Sequence, residues 1–264
     1  MREKLGQHFL KNKSAINKII AALDIKTGET VIEIGPGEGA LTFPLAEECA
    51  AKNSGLIAIE KDETLAQELK QKFDKNGAIK IITGDVLEVL PTFSINLKTK
   101  IAGNIPYYIT GKLLRTISEL ENKPALAVLM VQKEVAERIA ANPPKMNLLA
   151  AATQFWSKPE IIMKLKPGDF DPPPEVDSAV IKLTTKSAIA SEAKQSIGYY
   201  KLIRIIFKQP RKTLINNLKE GVNMPKTGLE NALKTAGLPL NCRPQNLSLE
   251  NIINLLCFFK DYIV

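Results

Sequence analysis

Glu33-Ile34-Gly35-Pro36-Gly37-Glu38-Gly39 is the stretch on which the reading of this chain turns. The apolar, β-branched run Thr30-Val31-Ile32 leads into it and a helix opens after it, so it reads as the turn between a first strand and its crossover helix. Glycines at alternate positions let backbone N–H groups approach a ligand with no Cβ in the way. The same residues satisfy G-x-G-x-x-A with Ala40 last, and the acidic Glu60 follows about 20 residues on, which is a dinucleotide fingerprint. On that motif alone a nicotinamide oxidoreductase competes. Three features favour S-adenosylmethionine instead. Glu33 stands where it can organise the loop near a cationic methionine end. Glu60 ends a second strand, where a carboxylate can accept both ribose hydroxyls. Asp85, in Gly84-Asp85-Val86 after a third strand, can accept from an adenine amine; a plain turn or helix cap is the alternative for Asp85.

Outward from this turn, short apolar runs alternate with helical periodicity, the pattern of an α/β parallel sheet covered by helices. Strands are expected at 30–34, 56–60, 79–83, 100–103 and 125–131, the last apolar throughout as in a strand buried on both faces. Leu65, Leu69 and Phe73 recur at helical spacing after a cap at Asp62, and Val131, Val135 and Ile139 do the same. Two further strands, 161–165 and 178–184, flank a proline-rich loop and are expected to finish the sheet as an antiparallel edge. This first domain spans 1–184. A polar stretch rich in Ser, Ala and Lys, 185–198, reads as a linker. From 199 to 264 the pattern is helical: Leu202, Ile203, Ile206 and Phe207 form one stripe, Leu214 and Leu218 another, and Ser248 can cap a last helix carrying Ile252, Ile253, Leu256 and Phe259.

Asn104-Ile105-Pro106-Tyr107 follows the fourth strand, at the carboxyl edge where doubly wound sheets bind ligands. The residue types suit methylation of a base amine. An exocyclic amine is a poor nucleophile because its lone pair is delocalised into the ring. The Asn104 side-chain oxygen and the carbonyl of Ile105 or Pro106 can accept its two hydrogens and favour a tetrahedral nitrogen, while Tyr107 stacks on an extruded base. Phe170, on the stiff loop Gly168-Asp169-Phe170-Asp171-Pro172-Pro173-Pro174, either closes the other face of the base or plugs the core. The reaction is an in-line displacement at a sulfonium methyl, so positioning is the main catalytic contribution. No general base is evident or required.

The 264 residues carry 36 Lys and Arg against 28 Asp and Glu, a formal charge of +8 with pI near 9.2. From 184 to 264 twelve basic residues face five acidic ones, so the excess is concentrated there and a polyanionic partner is expected. Three widely spaced cysteines and the single His8 assemble neither a disulfide framework nor a zinc site, so reduced thiols and no metal are expected. No run of 18 apolar residues occurs and the start lacks a signal-peptide core, which makes the cytoplasm the expected compartment and excludes a membrane role.

These motifs together resemble the small-subunit ribosomal RNA adenine dimethyltransferases of the KsgA type. The likeness runs from Leu5-Gly6-Gln7-His8-Phe9-Leu10 through the glycine turn, Asn104-Ile105-Pro106-Tyr107-Tyr108, Gln132-Lys133-Glu134-Val135-Ala136 and Val176-Asp177-Ser178-Ala179-Val180 to Arg211-Lys212-Thr213-Leu214 and Asn246-Leu247-Ser248. The resemblance implies a seven-stranded, Rossmann-like methyltransferase sheet with a small all-helical carboxyl-terminal domain. It implies dimethylation of N6 on two adjacent adenosines in a loop near the 3′ end of 16S rRNA, within the maturing small subunit. By the family pattern His8 and Leu10 border the cofactor with Gly35, Glu60, Asp85 and Asn104, Gly37 belonging to the same turn, and Arg211 and Lys212 in a basic helix contact rRNA phosphates. Two departures stand out: Lys145-Met146-Asn147-Leu148-Leu149 where the family has Tyr-Gly-Arg-Leu-Ser, and Pro210 where it has arginine. Rivals are the large-subunit methylase of the macrolide-resistance type, an assembly factor acting mainly by binding, and a DNA adenine methylase. A monomer is expected.

Overall fold

The computed structural model describes residues 8–73, 79–186 and 193–263. Its strands are β1 (Phe9–Leu10), β2 (Thr30–Ile34), β3 (Gly55–Glu60), β4 (Ile79–Thr83), β5 (Thr99–Asn104), β6 (Leu126–Gln132), β7 (Ser157–Leu165), β8 (Phe170–Asp171) and β9 (Ser178–Thr185). The helices are α1 (Lys13–Leu23), α2 (Thr42–Ala51), α3 (Glu63–Phe73), α4 (Val86–Val89), α5 (Thr110–Glu119), α6 (Lys133–Ile139), α7 (Leu148–Trp156), α8 (Ala193–Ile206), α9 (Leu214–Leu218), α10 (Lys226–Thr235) and α11 (Leu249–Phe259).

Seven strands form one sheet in the order β4-β3-β2-β5-β6-β9-β7, and β1 pairs with β8 in a separate two-stranded ladder. The chain runs outward from β2 through β3 to β4, then returns to β5 and runs the other way to β6. The β2/β5 boundary is therefore the topological switch point, where crossovers leave in opposite directions and open a crevice. Ile34 lies opposite Gly103 there, so the glycine turn and Asn104 emerge side by side. The expected antiparallel finish differs in detail: β9 is antiparallel to both neighbours and sits between β6 and β7, leaving β7 as the edge strand. Val131 belongs to β6 rather than to the helix behind it, because β6 runs straight through to Gln132 before α6 opens.

The described residues divide into two compact units, one drawn from Met1–Glu137 and Ser157–Lys186, the other from Arg138–Trp156 and Ser187–Val264. In the first, α1 and α2 cover the sheet with Ile19, Leu23 and Leu45 against Val31, Val128 and Met130. In the second, Leu202, Ile206, Leu214, Leu218, Ile252 and Phe259 share one core with Met146, Ala150 and Phe155. The boundary expected at 184 thus differs, because 138–156 packs with the carboxyl-terminal helices. The Phe155 and Tyr199 rings stack with centroids 3.9 Å apart, and the Tyr199 hydroxyl donates to the Ala151 carbonyl at 3.0 Å.

The expected linker also differs. Thr185 ends β9, and α8 is already formed at Ala193; 187–192 lie outside the described residues. Gly198, which read as a linker residue, is inside α8, where a Cβ would stand 3.4 Å from Leu256 of α11. The atypical segment 145–149 is a helix start: Asn147 Oδ1 accepts the Ala150 N–H at 3.0 Å and caps α7, and Met146 is buried. Ser248 caps α11 as its sequence predicts, accepting the Asn251 N–H.

Candidate active site at the sheet's switch point

A cleft opens at the switch point. Its walls include His8, Leu10, Glu33, Gly35, Gly37, Glu60, Asn104, Pro106 and Tyr107, so residues far apart in sequence meet in one place. A second hollow shares Gly35, Glu60 and Pro106 with it and adds Lys61, Asp85 and Tyr108. Gly35 and Gly37 hold φ of 64° and 59°, a region that L side chains rarely adopt. At Gly37 a Cβ would also stand 2.7 Å from the Phe9 ring.

The two glutamates on the wall have opposite situations. Glu60 is buried, and each of its oxygens accepts one backbone N–H: Oε2 from Gly37 at 3.0 Å and Oε1 from Asp62 at 2.9 Å. Each carboxylate oxygen retains a lone pair for a further donor. Glu33 is 1% exposed, and its Oε2 has no hydrogen-bond partner. Burial pushes its carboxyl up to about 8; the neighbouring Thr42 hydroxyl opposes that shift and the Glu60 charge adds to it.

Asn104 ends β5, and its Nδ2 donates to the His8 carbonyl at 2.6 Å. A carbonyl can only accept, so this contact assigns the amide's two ends and leaves Oδ1 as the acceptor facing away from His8. The Ile105 N–H donates to Met130 at 3.0 Å, and the Pro106 carbonyl accepts the Ile109 N–H at 3.1 Å, closing a 3-10 turn at Tyr107–Ile109. No hydrogen bond to the Ile105 carbonyl is made among the described residues. The Tyr107 hydroxyl exchanges a hydrogen bond with Ser178 Oγ at 2.7 Å, and burial raises its pKa while Ser178 opposes. The His8 and Tyr107 rings lie face to face at an interplanar angle of 29° with centroids 5.9 Å apart.

Asp85 caps α4 by accepting the Leu87 N–H at 2.9 Å, and its other oxygen pairs with Lys61 at 2.8 Å. The Lys61 ammonium holds the carboxyl below the usual range, against the opposing effect of burial. Phe170 requires a correction. It is 1% exposed, paired in register with Leu10, and points into the core rather than the cleft, so of the two readings offered for it the structure shows the plug. The β1–β8 ladder pairs it with Leu10, and both side chains belong to the core cluster of the first unit. Sequence reading missed Phe9, Lys61 and Ser178; the motifs around the latter two named the strands but not which side chains meet.

Arg211 and Lys212 belong to the other unit. They lie in the turn between α8 and α9 rather than on a helix. Buried Asn217 builds that turn, accepting the Gln209 N–H at 2.9 Å and donating to the Gln209 and Thr213 carbonyls at 3.0 and 3.3 Å. Lys212 and Lys208 both pair with Glu220, at 3.4 and 3.1 Å.

Residues 1–261 match the family described as ribosomal RNA adenine dimethylase. The chain belongs to that family. Among its relatives, proteins named ribosomal RNA small subunit methyltransferase A are 39% identical over 94% of this chain and 85% of the relative in Dehalococcoides mccartyi, and 38% identical over 98% and 94% in Chlorobium chlorochromatii. A dimethyladenosine transferase from Plasmodium falciparum has the same fold, with a TM-score of 0.81 and 28% identity over 96% of this chain and 98% of that one. The 23S rRNA methyltransferase ErmE also shares the fold, at a TM-score of 0.76 and 23% identity over 96% and 99%. Membership of a ribosomal RNA adenine dimethylase family removes the nicotinamide oxidoreductase as a reading of the glycine turn.

Proposed function

We propose that this dimethylase transfers methyl groups from S-adenosylmethionine to N6 of two adjacent adenosines near the 3′ end of small-subunit rRNA, acting on the maturing subunit in the cytoplasm as a monomer. The observation that carries the reading is the meeting of the Asn104 amide with the glycine turn at the switch point, with Oδ1 directed away from the His8 contact. Relatives named for the small subunit support the choice of subunit.

The residues present suit the cofactor. The unpartnered Glu33 Oε2 on the cleft wall is a place for a cationic ammonium group, Glu60 retains acceptor capacity for ribose hydroxyls, and Asp85 faces the adjoining hollow, where it can take an adenine amine. S-adenosylmethionine, when bound, supplies an electrophilic sulfonium methyl. Asn104 Oδ1 and the Ile105 carbonyl accept the two amine hydrogens of the target adenosine and draw its nitrogen towards tetrahedral geometry. Tyr107, held by Ser178, offers its ring to the extruded base. These groups act by alignment, and the product ammonium loses its proton to water. Arg211 and Lys212 bind phosphates of the rRNA.

The test is transfer of labelled methyl groups to small subunits lacking the modification, followed by mass spectrometry of the digested rRNA. Dimethyladenosine at two neighbouring 3′-terminal sites is the expected result. Cofactor binding without transfer would replace this reading by a binding role in assembly, and transfer to large subunits offered in a parallel reaction, with none to small subunits, would move the target.

A further inference from the structure

We propose that the amino-terminal arm, residues 8–12, is a positioning element for Asn104, its His8 carbonyl setting which end of the amide faces the target amine. The inference rests on the proposed role of Asn104 Oδ1 and adds a device that keeps that oxygen in place.

An isolated asparagine amide presents either end to a ligand, since the oxygen and the NH₂ group have nearly the same shape. Here the His8 carbonyl stands 2.6 Å from Nδ2 and accepts only a donor. Rotating the amide by half a turn would face two acceptors across that distance and present NH₂ to a substrate amine that also needs acceptors. The arm therefore excludes the unproductive orientation, provided the arm itself is fixed.

It is fixed at every residue from 8 to 12. His8 Nδ1 donates to the Pro172 carbonyl at 2.9 Å, and Phe9 and Leu10 pair with Asp171 and Phe170. The Lys11 N–H donates to the Asp169 carbonyl at 2.9 Å, and Asn12 Nδ2 donates to Asp169 Oδ1 at 2.7 Å. Asp169 is itself tied down, its Oδ2 accepting the Lys166 N–H at 2.7 Å. Phe9 packs on Gly37, the one place on the glycine turn where a side chain would collide with it. The arm thus touches the cofactor loop with one residue and the amine-binding amide with the preceding one, and both contacts ride on the loop that carries Phe170.

The test compares Asn104→Asp in two backgrounds. Aspartate supplies the same acceptor oxygen but no hydrogen for the His8 carbonyl, so its cost depends on how firmly the arm is held. The loosened background is Asn12→Ser, which keeps the helix cap of α1 but cannot reach Asp169, alone and combined with Phe9→Ala. Turnover is measured at saturating cofactor and RNA, with cofactor affinity and melting temperature measured alongside. In the intact arm Asn104→Asp should cost ~100-fold in kcat, and in the loosened arm only ~10-fold relative to that background, a departure from additivity that a purely structural role would not produce. Asn12→Ser alone should lower kcat several-fold while leaving the RNA KM unchanged. Equal cost of Asn104→Asp in both backgrounds, with both proteins folded and cofactor-bound, would overturn the proposal. If the double variant fails to fold, the Asn12→Ser background decides in the same way. Full activity of Asn104→Ala would instead remove the underlying reading of Asn104, so the two failures are distinguishable.

Discussion

The cleft at the switch point and the basic turn at 209–213 solve opposite problems. In the cleft, polar side chains are committed, Glu60 buried and Asn104 and Tyr107 half-buried: Glu60 to two backbone N–H groups, Asn104 to the arm, Tyr107 to Ser178. In the turn, the charged ends are exposed, and the one buried polar residue, Asn217, holds backbone rather than ligand. A site that must aim a lone pair gains from groups fixed before the substrate arrives. A surface that must attract phosphates needs charge density, and long-range attraction tolerates loose side chains.

That contrast breaks first at Asn104. Asn104→Ala should lower kcat by ~10²–10³-fold, the scale of removing one preorganised polar group from a reacting centre, with cofactor affinity nearly unchanged by calorimetry. Retained turnover would mean that the cleft aligns nothing.

Glu33 sharpens the comparison, its Oε2 being left without a hydrogen-bond partner beside the Thr42 hydroxyl. With its carboxyl up at about 8, a bound cation favours ionisation, so cofactor affinity should rise with pH and level off above about 8. Glu33→Gln should flatten that rise and weaken binding by roughly tenfold near pH 8. The stability sign is the reverse. The folded value lies above the ordinary 4.5, so this carboxyl supports the cofactor-free fold fully below 4.5, and the support is lost as pH rises through about 8. Glu33→Gln should therefore raise the melting temperature of the cofactor-free protein at pH 8 to 9. A lowered one would show that Glu33 is ionised and partnered.

The second unit breaks at Asn217. Asn217→Ala strands the Gln209 backbone groups, and should destabilise that unit by about 2 kcal/mol in denaturant unfolding while leaving cofactor affinity intact. The smallest effects belong to the charges. Arg211→Ala should lower the slope of log affinity against log salt by about 0.7 to 0.9, and Lys212→Ala by less, since Lys212 must first leave Glu220. Equal slopes for both, measured by filter binding to small subunits, would mean that Glu220 does not compete with RNA.

The glycine turn, the positions of the main strands along the chain and the Asn104 motif were legible because each depends on local chemistry: alternate glycines, apolar runs of strand length, a proline after an amide. The segment 138–156 was not, since an apolar helix carries no mark of which core it joins. Phe170 was ambiguous for the same reason, and its place in the core beside Leu10 emerges only in the fold.

By itself the sequence determined that the residues ending β2, β3 and β5 meet at the switch point, because a parallel sheet sends those ends to one edge whatever the loops do. Only the tertiary structure decided their states. Glu60 accepts two N–H groups while Glu33 Oε2 stands unpartnered, Asp85 pairs with Lys61, and His8 assigns the two ends of the Asn104 amide. Apart from the Asp62 N–H on Glu60, these are contacts between groups tens of residues apart, and burial and hydrogen bonding, which set charge and orientation, exist only once those groups have been brought together.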